Sequence, residues 1–134
     1  AGRHVRPGCA TGPYGAPEVW GALEGKEEAS PAKADVYAFA CVLFEALTGR
    51  LLFDAPSEMA QIAMHLAHDG LPEPLKALSS HPKLAVPALS GLSELLFAAL
   101  RRNPRDRPTA ATVRKELARL TPALSKRPWP IDAR

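Results

Sequence analysis

The chain has 134 residues, of which 46% are hydrophobic, 23% charged and only 6% aromatic. That balance describes a folded globular chain with one modest core and excludes a disordered one. The net charge of +3 is uneven: residues 1–100 carry 7 Lys and Arg against 11 Asp and Glu, while residues 101–134 carry 10 against 3. The longest apolar run, Val36 to Leu47, is too short to span a bilayer and holds Glu45. A soluble, cytoplasmic chain is therefore expected. The first residue is Ala1, and the opening ten residues hold no signal-peptide core, so the sequence reads as a piece of a longer protein. Cys9 and Cys41 form neither a disulfide framework nor a metal pattern; Cys41 reads as a small core residue.

Residues 1–15 read as a turning loop rich in Gly and Pro. Pro17 opens a short helix over 16–23, with Glu18 suited to its first turn. Residues 24–33 are charged and loose. Residues 34–48 predict a central helix, apolar on every side and hence buried all round, with Asp35 in its first turn and Gly49-Arg50 as its stop. Ser57 caps a helix to about His68, stopped by Asp69-Gly70. Residues 71–87 read as Pro-rich loop. A helix over 88–102 follows, with Leu89, Leu92, Leu96 and Leu100 as its apolar stripe and Asn103-Pro104 as its stop. Thr109 caps a last helix to about Leu120, with Val113, Leu117 and Leu120 inward, and residues 121–134 read as a basic, Pro-containing tail. No alternating strand is predicted, so the class is all-α: short helices packed around one buried helix.

Three pieces carry a family resemblance. They are Thr11-Gly12-Pro13-Tyr14-Gly15-Ala16-Pro17-Glu18, then Asp35-Val36-Tyr37-Ala38-Phe39-Ala40 opening the apolar helix, then Leu100-Arg101-Arg102-Asn103-Pro104-Arg105-Asp106-Arg107-Pro108-Thr109. In this order and spacing, from about residue 8 to about residue 120, the chain resembles the C-terminal lobe of a Hanks-type serine/threonine protein kinase domain. The resemblance implies a layout. Residues 1–15 would be the end of the activation segment and the substrate loop, 16–120 the helical lobe, and 121–134 a tail. Thr11, Gly12 and Tyr14 would bind substrate, with Thr11 matching the serine/threonine type and Tyr14 supporting the wall. Glu18 would be the glutamate of the Ala-Pro-Glu motif and Arg107 its ion-pair partner. Asp35 would anchor the catalytic loop. None of these residues performs chemistry, and no catalytic, cofactor or metal residue is assigned.

The resemblance also says what to look for and not find. The family's Gly-rich loop, strand lysine, catalytic loop and metal-binding Asp all precede Ala-Pro-Glu, and none occurs here. ATP and Mg²⁺ are thus expected in the intact parent and not in this segment, which should be inactive alone. Its partners would be its own N-lobe and catalytic loop, and a protein substrate. Ala10, Gly12, Ala38 and Ala40 depart from the family pattern. They leave open a non-catalytic pseudokinase or scaffold that binds a protein through residues 57–70. Short loops and high Ala, Arg and Pro content suggest a bacterial parent.

Plainer readings compete. Glu18 and Arg107 could be solvated separately, and Asp35 could be a simple first-turn carboxylate. His65 and His68 stand three apart on a helix, but no third ligand is near in sequence, so a metal site is not expected. The arginines of 101–107 lack interleaved aromatics, so nucleic-acid binding is not expected either. Residues 1–15 are expected to be poorly ordered, and the chain marginally stable or prone to aggregate.

Overall fold

The computed structural model describes residues 14–20 and 31–131. Thr11, Gly12, Cys9, residues 1–13 of the stretch 1–15 expected to be poorly ordered, and most of the charged stretch 24–33 lie outside the described residues. Every regular element among the described residues is helical, with no strand among them. A 3-10 turn, Pro17–Trp20, comes first. Then come α1 (Pro31–Thr48), α2 (Glu58–Ala67), α3 (Glu73–Ser79), α4 (Leu92–Ala99) and α5 (Ala110–Ser125). Two more 3-10 turns, Pro87–Leu89 and Pro104–Asp106, sit on either side of α4. No described helix is long and apolar enough to cross a membrane.

α1 organises the lobe. It packs on α4, α5 and the 104–106 turn, while α3 packs on α4 and α2 on the 17–20 turn. Val36, Tyr37, Ala40, Cys41, Phe44 and Leu47 fill its inner face. The leucine stripe expected at Leu89, Leu92, Leu96 and Leu100 is buried at all four positions. The caps also fall where side-chain chemistry asks for them. Ser57 Oγ accepts the Ala60 amide at 3.1 Å, and Thr109 Oγ1 accepts the Thr112 amide at 3.1 Å. Gly49 ends α1 with φ +74°, and its amide donates to the Glu45 carbonyl at 2.7 Å.

Several expectations need correction. α1 begins at Pro31, so Asp35 lies in its second turn and is exposed. Nor is α1 buried all round: Phe39 is 39% and Val42 47% exposed. Apolar composition marks what a helix could bury, and this face lacks cover among the described residues. The stretch read as loop over 71–87 contains α3. Pro74 sits in its first turn, where an amide would have no intrahelical acceptor, and Leu75 and Leu78 are buried against α4. The helix read over 88–102 is interrupted, because Gly91 takes φ +93° between the 87–89 turn and α4. α5 passes Leu120 and runs to Ser125 with Pro122 inside it. Buried Leu124 holds this extra turn, and its carbonyl accepts the Trp129 indole N–H at 3.1 Å. The chain then returns to α1, with Ile131 buried and Pro130 beside Gly49.

Candidate functional site

Asn103 stops the chain's run out of α4 and starts the next turn, its side chain accepting the Arg105 amide at 3.0 Å. That turn delivers Arg107 into the interior, 2% exposed. All five of its guanidinium N–H groups find acceptors. Nη1 and Nη2 reach the Glu18 carboxylate at 2.6 and 2.8 Å. Nε donates to the Arg101 carbonyl at 2.7 Å, and the remaining two donors reach the carbonyls of Lys33 at 3.1 Å and Arg102 at 3.2 Å. Lys33 Nζ returns a bond to the Arg107 carbonyl. Neither side chain of the ion pair is exposed at all. Sharing both carboxylate oxygens with a fully satisfied guanidinium is the geometry in which a buried pair holds.

The central carbon of the same guanidinium lies over the Tyr37 ring, 4.9 Å from its centre. The Tyr37 hydroxyl lies 2.7 Å from His65 Nδ1 and 2.8 Å from His68 Nε2. Phe53 packs against both imidazoles, with ring centres 4.8 and 5.4 Å away. Arg102 ties down the end of α2 by donating to the carbonyls of Leu66 and His68. Burial pushes the Tyr37 phenol well above its ordinary range and the Cys41 thiol up to about 12. The histidine pair thus has a hydroxyl for a partner, and no group of three His, Cys, Asp or Glu among the described residues is placed to hold a metal ion.

Tyr14, just before the Ala-Pro-Glu triplet, donates its hydroxyl to Glu45 Oε1 of α1 at 2.6 Å. That bond, with burial second, pushes the Tyr14 phenol up to about 12. Residues 14–18 are therefore fastened to the lobe at both ends, by Tyr14 to α1 and by Glu18 to Arg107. Asp35 stands apart from this network. It is exposed, at one end of an apolar groove of about 560 Å³ between α1 and α5, walled by Val36, Phe39, Val113 and Leu117.

Of the residues singled out from sequence, the structure brings Glu18 and Arg107 together and places Tyr14 on the same segment. Thr11 and Gly12 lie outside the described residues. Sequence reasoning assigned no site role to Tyr37, Glu45, His65, His68 or Arg102. A signal was there for some of them: a tyrosine and two histidines within apolar stretches need polar partners once buried.

The protein kinase domain family model matches residues 2–117, most of the chain. The chain belongs to the protein kinase domain family. Its described helices form the family's all-α, Hanks-type C-terminal lobe, as the three motifs implied. Among its relatives is a serine/threonine-protein kinase PknB of Mycobacterium tuberculosis, 31% identical over 98 residues, which cover 72% of this chain and 14% of that protein. The PknB of Mycolicibacterium smegmatis is 32% identical over 98 residues, with the same shares covered. Serine/threonine-protein kinase PksC of Streptomyces coelicolor is 33% identical over 98 residues, 72% of this chain and 16% of that protein. The chain thus spans about one-seventh of the length of these relatives.

Proposed function

We propose that this chain is the substrate-docking floor of a serine/threonine protein kinase. In the intact parent, the γ-phosphoryl group of ATP would pass, with Mg²⁺, to a protein hydroxyl. The observation that carries this reading is the buried, bidentate Glu18–Arg107 pair, which fastens the segment after the substrate loop to the last helices. The Tyr14–Glu45 bond supports it from the other end of the segment. Thr11, Gly12 and Tyr14 form the wall that meets the substrate, and Asp35, exposed on α1, is the anchor for the catalytic loop. No ATP or Mg²⁺ contact is assigned to this chain: its sequence has no glycine-rich phosphate cradle, and no group of three His, Cys, Asp or Glu among the described residues is placed to hold a metal ion. Both ligands are assigned to the parent's other half, and the isolated chain to no turnover.

The test is phosphoryl transfer by the parent protein from radiolabelled ATP with Mg²⁺ to a serine- or threonine-containing peptide. Transfer that falls steeply in Thr11→Ala, with the fold intact by circular dichroism, supports the reading. A parent that neither binds nucleotide nor transfers phosphate would establish the pseudokinase or scaffold alternative. One observation favours that second reading: α2 presents Met59 at 76% and Met64 at 38% exposure, a surface suited to a protein partner.

A further inference from the structure

Helix α2 is seated in an unusual way. Of its ten residues only His65 is fully buried, and its ring meets α1 through the Tyr37 hydroxyl. The proton positions in that contact follow from one backbone bond. The Gly70 amide donates to His68 Nδ1 at 3.0 Å, so that nitrogen carries no proton and the neutral ring carries its proton on Nε2. His68 Nε2 therefore donates to the Tyr37 hydroxyl oxygen, 2.8 Å away. The hydroxyl's own proton is left to point at His65 Nδ1, 2.7 Å away. The relay has one direction, from Gly70 through His68 and Tyr37 to His65, and its first and last links each need an unprotonated imidazole nitrogen. A proton added at His68 Nδ1 would face the Gly70 N–H. A proton added at His65 Nδ1 would face the Tyr37 O–H.

We propose that this Tyr37-centred relay is an acid-opened latch, which holds α2 on α1 while both histidines are neutral and releases it when they take up protons. The 17–20 turn, against which α2 also packs, would loosen with it.

The surroundings bias the latch toward the neutral form. From α1 come the Tyr37 hydroxyl and the Cys41 thiol. The segment after α4 brings Arg102, fixed on the Leu66 and His68 carbonyls, and Arg107, over the Tyr37 ring. The 17–20 turn brings the Glu18 carboxylate, already committed to Arg107. Asp69, in the loop after α2, is exposed and accepts the Leu71 amide at 2.9 Å. A new imidazolium would thus meet two fixed guanidinium groups and one solvated carboxylate. Burial first, then His65 and Arg102, lower His68 from its ordinary 6.5 to about 4. The folded pKa is depressed, so the released state binds protons more readily. The latch's contribution is whole above about pH 6.5 and drains away as pH falls from there to about 4. The inference stands on the α1–α2 contact and is independent of the kinase reading.

The experiment is hydrogen exchange by NMR on the 134-residue chain between pH 7.5 and pH 4.5, as protection factors corrected for intrinsic exchange, alongside long-range ¹H–¹⁵N spectra of the imidazoles. The expected result is that both rings are Nε2–H tautomers at pH 7.5. Protection of the α2 amides then falls about tenfold or more by pH 4.5 while α1 amides keep theirs. In His68→Gln, whose amide still donates to Tyr37 but does not titrate, most of that pH dependence should vanish. His68 titrating near 6.5, α2 protection flat to pH 4.5, α1 and α2 lost together, or an undiminished acid response in His68→Gln would each overturn the proposal.

Discussion

One face of α1 carries Tyr37, Cys41, Phe44 and Thr48, none more than 2% exposed, while another carries Asp35, exposed, with Phe39 and Val42 at 39% and 47%. Both faces are built from similar residues on one helix. They differ in what lies against them. Against the first lie α2, the 104–106 turn and the guanidinium of Arg107, every donor of which is used. Along the second runs the groove shared with α5. The difference teaches that burial is decided by partners and not by the composition of the helix itself. On the proposed reading it also separates two tasks. The closed face would hold residues 14–18 in place, and the open face, with Asp35, would receive the catalytic half of the domain.

Substitutions on the two faces should therefore differ sharply. Phe44→Ala, in the closed face, should cost about 3–5 kcal/mol in urea melts, because the cavity is enclosed by α1's neighbours. Arg107→Ala should be comparable, about 3–5 kcal/mol, because it strands the buried Glu18 carboxylate. Arg107→Lys should recover only part of that loss, since an ammonium offers three donors where five acceptors wait. Tyr37→Phe should cost less, about 1–2 kcal/mol, because the ring and its contact with Arg107 survive while two histidine bonds go. Val42→Ser, on the open face, should fall within about 0.5 kcal/mol of the parent sequence. A Val42→Ser cost as large as that of Phe44→Ala would erase the distinction between the faces.

The same comparison has an alkaline signature. The chain has 2 tyrosines, Tyr14 and Tyr37, and both phenols are raised above the ordinary 10. A raised acid keeps its proton in the fold and gives it up more readily when unfolded. The Tyr14 contribution is therefore whole below about pH 10 and is lost as pH rises from there to about 12. Phenolate absorbance near 295 nm should stay low to about pH 11 and then rise together with loss of helix. Normal titration at pH 10 with the helices intact would mean that Tyr14 does not hold Glu45.

Much of this was legible in the residues. Ser57, Thr109 and Gly49 marked helix ends because capping is local chemistry, and the leucine stripe named its own inner face. Glu18 and Arg107 stand 89 positions apart, and only the motif resemblance linked them. What stayed hidden was set by tertiary context. Pro72 and Pro74 signal a loop until Leu75 and Leu78 find α4. Gly91 looks tolerable within a helix until its φ of +93° breaks one. Pro122 looks like a stop until Leu124 is buried and its carbonyl accepts the Trp129 indole N–H. For His65 and His68 the sequence argued only against a metal, and the hydroxyl between them comes from Tyr37, nearly thirty residues before His65.

The most direct test of the closed face is a double-mutant cycle on Glu18→Ala and Arg107→Ala, followed by urea unfolding of the chain. The expected result is a coupling of about 2 kcal/mol or more, with the double variant little worse than either single one, because removing both charges strands neither. Costs that simply add, with coupling near zero, would contradict the claim that this buried pair fastens residues 14–18 to the lobe.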